Sequence, residues 1–202
     1  FTNGFYLGIN YFLNFAIPIL ITPYVVNILG LSKYGMISVA LVICQYFSVI
    51  VDYGFNLTAT RDISVNSANK FLVDKVTCTA LILKTIILVG SFLLYVSIIL
   101  TVPYLRNNYE VFLLSFTLVI GQGISTNWFF QGIQKIGIMA FFNVVFKVSA
   151  AVSIFFIIRA ESDFIWVNFI LGLGNSLASV ALILYIFLKL KVQFILPTMS
   201  DL

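Results

Sequence analysis

Histidine is absent from this chain, cysteine occurs twice, proline four times, and only 9% of the 202 residues are charged. Each shortage excludes something. Without histidine there is no zinc-type cluster and no imidazole base. Cys44 and Cys78 lie in or beside apolar runs and read as small apolar fillers, with a disulfide left open. A soluble domain carries about 25% charged residues, so this surface is too poor in charge to face water. Catalytic signatures are missing too: no carboxylates paired at matched depth, no nucleophile motif and no glycine-rich phosphate loop. The GLG at Gly172–Gly174 falls inside an apolar run and reads as helix packing. Low-complexity segments, internal repeats and large loops are also lacking.

What the chain has is apolar surface. It is 61% hydrophobic, with a mean hydropathy of +1.11. No soluble core absorbs that, so the bilayer is the solvent. Crossing the hydrocarbon takes about 20 apolar residues per helix. Six stretches qualify: 5–29, 35–57, 76–102, 111–130, 138–158 and 165–188. The expected fold is all-α, a polytopic membrane protein whose six transmembrane helices form a single lobe over residues 1–202. GLSKYG at Gly30–Gly35 is the expected first turn and Gly132–Gly137 a later one. Connections are short except Arg61–Lys75, so successive spans are expected as antiparallel neighbours, with an interfacial helix in the longer connection. The chain opens on Phe1 and stops soon after its last run, as a piece of a longer protein would. Its first run is too long for a signal peptide core and lacks a small-residue cleavage site.

Net charge is +4. The basic residues sit at helix ends or singly within helices, which suits membrane orientation and an anionic substrate better than nucleic acid. One side carries Arg61, Lys70, Lys75, Lys135, Lys189 and Lys191. The other carries Lys33, Arg106 and Arg159. By the positive-inside rule the first side is cytoplasmic, together with both ends of the chain.

Three ionisable residues lie inside the runs: Asp52, Lys84 and Lys147. Each costs roughly 2.5–3.5 kcal/mol at a helix centre on insertion scales, so lipid-facing placements are poor. Snorkelling could relieve Asp52 and Lys84 but hardly Lys147, near mid-membrane. Asp52 and Asn56 share a helix face; Arg61, nine residues on, is half a turn out of phase with Asp52. Every run also carries an amide or hydroxyl stripe: Asn10, Asn14, Pro18 and Thr22; Asn56, with Thr60 if the helix continues; Thr77, Ser91 and Tyr95; Gly123, Asn127, Gln131 and Gln134; Asn143, beside Lys147; Asn168, Gly172, Asn175, Ser176 and Ser179. One such stripe is packing; six converging stripes suggest a hydrated, modestly positive cavity. Amides and hydroxyls match sugar hydroxyls, and lysine supplies a point charge for phosphate.

Three stretches carry a resemblance: PYVVNILGLSKYG at Pro23–Gly35, DYGFNLTATRDIS at Asp52–Ser64 and WFFQGIQKI at Trp128–Ile136. In order and placement they resemble the O-antigen flippase (Wzx-type) family, within the multidrug/oligosaccharidyl-lipid/polysaccharide exporter superfamily. The likeness runs along the whole chain. It implies a protein of two six-helix lobes, of which this chain would be the first, with the second lobe missing. It further implies translocation of undecaprenyl-pyrophosphate-linked oligosaccharide across the bacterial inner membrane by alternating access, coupled to a gradient of H+ or Na+, beside polysaccharide polymerase machinery and membrane lipids, with no cofactor. Asp52, Asn56 and Arg61 fall in the family's second-helix motif, Trp128 and Gln131 in its fourth-helix motif. The expected substrate path is Arg61, Lys84, Lys147, Asn127, Gln131 and Asn143, with Asp52 and Asn56 as gate or coupling residues. Exporters of capsule, teichuronic acid or peptidoglycan precursor fit the same motifs. A drug/cation antiporter of this fold would want more carboxylates in the path, and a membrane glycosyltransferase or polymerase would want large catalytic loops.

Overall fold

The computed structural model describes residues 2–195. Among the described residues, nine α-helices and one 3-10 turn follow one another: α1 (Thr2–Asp52), α2 (Phe55–Val65), α3 (Lys70–Thr101), α4 (Pro103–Asn107), α5 (Tyr109–Ser115), α6 (Thr117–Gly123), α7 (Asn127–Gly132), α8 (Ile136–Ile157), the 3-10 turn Glu161–Ile165 and α9 (Trp166–Leu188). There is no strand among the described residues. Five stretches among the described residues are long and apolar enough to cross a membrane. The first, Gly4–Val65, has 62 residues, about 93 Å if straight, three times a hydrocarbon core of about 30 Å. It has to break, and it does so at Gly30, whose φ of 73° and ψ of 164° only glycine adopts readily. The two limbs fold back on each other: the Thr22 and Tyr34 hydroxyls meet at 3.3 Å across the break. Six crossings therefore arise from five helical stretches.

The first turn is narrower than expected, because Leu31 onward is already helical. The second limb ends at Asp52, earlier than the expected Leu57, and the interfacial helix expected in the following connection starts as early as Phe55. The fourth crossing departs most from its expected single helix over 111–130. It is built from α5, α6 and α7, with breaks at Phe116 and at 124–126.

At the near end of the bundle, Ala59, Ile63, Val73, Trp128, Phe130, Met139 and Ile186 form one core with Tyr6 and Leu7 against it. At the far end, Tyr24 donates its hydroxyl to the carbonyl of Ile158 at 2.9 Å, satisfying a helix-end acceptor. Lys33 lies 4.5 Å over the Phe164 ring, tying the Gly30 turn to the 3-10 turn. The carboxylate of Asp163 caps that turn by accepting from the N–H groups of Arg159 and Ala160 at 3.0 and 2.9 Å.

Small residues set the spacing of α9. A Cβ on Gly172 would collide with Thr117 Oγ1 and sit 2.6 Å from the Leu118 nitrogen; one on Gly174 would meet Ala150 and, at 2.9 Å, the Phe146 carbonyl. The GLG stretch is where α9 presses on α6 and α8 at once. Backbone approach through small residues is the usual way membrane helices pack, since lipid offers no hydrophobic drive between them.

Candidate functional site

Two interrupted helices meet around one lysine. Asp52 ends α1, and the chain turns through Tyr53 (φ 40°) and Gly54 (φ 82°) into α2. The opposing interruption, 124–126, separates α6 from α7. Lys84 of α3 reaches between them, with only 1% of its side chain exposed. Its Nζ donates to the Ser125 carbonyl at 3.2 Å and lies 3.7 Å from Asp52 Oδ1. Trp128 Nε1 donates to the same carbonyl at 3.0 Å. Asn56 Nδ2 donates to Asp52 Oδ1 at 2.8 Å, so the shared face read from the i,i+4 spacing is occupied by a real bond. A buried ammonium is expensive unless paired. Here a carboxylate and a carbonyl exposed by the helix break supply the partners, as unwound backbone does in transporters.

The interruption also sets the position of α2. Thr60 Oγ1 donates to the Trp128 carbonyl at 3.2 Å. A Cβ on Gly132 would lie 2.7 Å from Ile63 Cγ2 and 3.1 Å from the Thr60 carbonyl. Two of the stretches that carried the resemblance, Asp52–Ser64 and Trp128–Ile136, thus lie against each other in space.

A second polar group runs between the first limb of α1 and α8. The limb lies parallel to α8: Tyr6 faces Gly137, Asn14 meets Lys147 and Tyr24 reaches Ile158. Lys147 Nζ donates to Asn14 Oδ1 at 2.8 Å. One turn earlier on α8, Asn143 Nδ2 donates to Asn127 Oδ1 at 3.2 Å. One turn earlier on α1, the buried Asn10 Nδ2 has no partner, nor does the buried Thr126 Oγ1 beside Asn127. Unmatched polar groups are costly inside a bilayer; Asp74 Oδ1 is a third such atom among the described residues.

Of the residues expected along a substrate path, Asn127, Asn143 and Lys147 join this second group. Lys84 belongs to the first, with Asp52 and Asn56. Gln131 is half-buried on α7, and Arg61 is exposed on α2. The expectation of six stripes converging on one cavity meets a different arrangement. The α9 stripe is turned into packing: Asn168 Nδ2 donates to the Ile37 carbonyl and to Ser115 Oγ at 3.0 and 2.9 Å, Ser176 to the Thr117 carbonyl at 3.2 Å, and Ser179 to the Gly121 carbonyl at 3.0 Å. On α3, Tyr95 donates to the Phe112 carbonyl at 2.8 Å and Thr77 to its own helix. Ser125 escaped the sequence reading because its contribution is a backbone carbonyl, which no side-chain pattern reports. Cys44, beside Tyr95, and Cys78, beside Gln193, are free and sit in different parts of the bundle.

These features define an all-α, multi-pass membrane protein with interrupted helices around buried charges. The chain belongs to the family described as "Polysaccharide biosynthesis protein", whose model matches residues 1–202. It is 27% identical over 179 residues to a protein named "Putative O-antigen transporter" from Escherichia coli (strain K12), covering 88% of this chain and 43% of the relative. A protein of the same name from Shigella dysenteriae is 22% identical over 167 residues, covering 83% of this chain and 42% of the relative. The chain thus spans less than half the length of these curated relatives. No solved structure matches it significantly.

Proposed function

We propose that the chain forms one six-helix lobe of a flippase that moves undecaprenyl-pyrophosphate-linked oligosaccharide, an O-antigen repeat unit, across the bacterial inner membrane. Membership of the polysaccharide biosynthesis family and the names of its relatives support a transporter of lipid-linked glycan over an enzyme. In this reading a second lobe faces the first, and rocking of the two exposes the path alternately to each side. The near end, with Arg61, Lys70, Lys75 and Lys135, is the cytoplasmic one, so both ends of the chain are cytoplasmic. A gradient of H+ or Na+ drives the cycle, and polymerase machinery receives the product.

The observation that carries the reading is the strip of Asn10, Asn14, Asn127, Asn143 and Lys147. A cation held by an amide, with unmatched donors one turn away, suits a phosphate and sugar hydroxyls together. Arg61 and Gln131 serve the mouth. Lys84, first expected along the path, is too enclosed in this conformation to touch cargo. Its role here is to hold the two helix breaks together, with Asp52 and Asn56 as the gate. Exporters of other lipid-linked polymers would use the same strip. The test is surface glycan in cells carrying the intact protein. Lys147→Ala should lower it at least tenfold and Lys147→Arg should keep most of it. Full display with Ala removes Lys147 from the path.

A further inference from the structure

The first polar stripe has a proline, Pro18, inside the helix of a membrane crossing. In an unbroken helix the N–H of residue 18 donates to the carbonyl of residue 14. Proline has no N–H, so the Asn14 carbonyl loses that partner. A bare carbonyl is costly in hydrocarbon, and membrane helices tolerate one where a neighbouring group, water or a polar cavity takes it up. Residues 14 and 18 share a helix face, and both are exposed. That face is the one from which Asn14 meets Lys147. Asn14 thus presents two acceptors. Its Oδ1 takes the Lys147 ammonium at 2.8 Å, and its main-chain oxygen points along the helix toward Pro18. An ammonium with three N–H groups and an uncovered carbonyl stand side by side. Pro23 bares the carbonyl of Ile19 in the same way, but Ile19 is apolar and 70% exposed, with no polar side chain to hold a cation there.

We propose that Pro18 completes the cargo site. The Asn14 carbonyl it uncovers accepts a hydrogen bond from a hydroxyl or amide N–H at C2 of the first sugar, while Lys147 holds the phosphate on C1. The inference rests on the flippase reading and sharpens it to the sugar next to the phosphate. Lysine is a point charge and selects phosphate without reading the sugar. A carbonyl only accepts; it disfavours phosphate oxygens and requires a donor beside them. C2 is the carbon adjacent to the glycosyl phosphate, so the pair reads phosphate and C2 substituent together. A site built to accept such a bond rejects an analogue without the donor, because the carbonyl is then left unpaired. Pro18 acts through the carbonyl and is a positioning residue.

The test is transfer by the intact protein in proteoliposomes with two probes: undecaprenyl-pyrophosphate-linked glucose, and its analogue with fluorine in place of the C2 hydroxyl, which cannot donate. An impermeant lectin that binds the remaining sugar hydroxyls reports arrival of either. The glucose probe should cross roughly three- to tenfold faster, the worth of one hydrogen bond. Pro18→Ala restores the N–H and closes the Asn14 carbonyl into the helix, so it should level the two probes. Pro23→Ala, which removes a proline from the same limb, should keep the glucose preference. Equal rates with the unsubstituted protein, or a preference undiminished by Pro18→Ala, overturn the assignment and leave the flippase reading standing. So does a fall in both rates at an unchanged ratio in Pro18→Ala, the signature of a purely structural proline. Transfer of neither probe overturns both.

Discussion

Replacing Asp52 by Asn strands Lys84 in the protein interior. The lysine is 1% exposed and the aspartate 21%, with 3.7 Å between Nζ and Oδ1. At an effective dielectric of about 20 such a pair is worth about 4 kcal/mol, and breaking a buried pair from one side costs roughly 3–5 kcal/mol. The two halves should not cost the same. After Asp52→Asn the ammonium keeps the Ser125 carbonyl and a neutral amide oxygen in place of the carboxylate, with its side chain only 1% exposed. After Lys84→Met the carboxylate keeps Asn56 and its partial exposure, and methionine fills the lysine's apolar stem space. Asp52→Asn should therefore fall at the upper end of that range and Lys84→Met below it. The double variant Asp52→Asn/Lys84→Met should recover much of the loss, because no buried charge remains. The assay is a double-mutant cycle on the intact protein, unfolded by titration with a denaturing detergent. A coupling of about 2 kcal/mol or more is expected, well above the average of about 0.6 kcal/mol for polar pairs between membrane helices. Additivity within about 0.5 kcal/mol, or a larger loss from Lys84→Met than from Asp52→Asn, would mean that the two side chains do not stabilise each other as a buried pair.

Two further outcomes follow from packing and wetting. Gly172→Ala drives a methyl group into Thr117 and the Leu118 nitrogen, so it should cost about 1–3 kcal/mol in the same titration, while Gly90→Ala, with open space around it, should be near neutral or slightly stabilising. Cysteine placed at Asn14, exposed beside Lys147, should react with a water-soluble maleimide, and cysteine at Asn168, buried with two bonds, should not. Labelling at Asn168 with silence at Asn14 would reverse the division between packing stripe and wet strip.

Much of the fold could be read from run length alone. Once the hydrocarbon is the solvent, each apolar stretch of about 20 residues has one sensible use, and α3, α8 and α9 lie close to where their runs put them. The breaks were less legible. Gly30 is visible as a glycine, but no proline marks the breaks at Phe116 and 124–126, and the contacts of Gly172 and Ser176 with Thr117 beside the first break are tertiary. The Asp52–Lys84 pair joins separate helices, so no local spacing could connect them; the break at Tyr53 and Gly54 also ends the continuous helical phase between Asp52 and Arg61. Polar stripes were the most ambiguous signal. A hydroxyl every turn looks the same whether it faces a neighbour's carbonyl, as Ser176 and Ser179 do, or lies along an open strip, as Asn14 does. Only the identity of the opposing helix decides.

In the proposed function, the strip around Lys147 carries a lipid-linked glycan between leaflets. The most direct measurement is translocation by the intact protein in proteoliposomes, using undecaprenyl-pyrophosphate-linked oligosaccharide placed in one leaflet and an impermeant lectin to report arrival in the other. Transfer is expected with the unsubstituted protein, at least tenfold slower with Lys147→Ala and largely recovered with Lys147→Arg. Transfer at an unchanged rate with Lys147→Ala would contradict it.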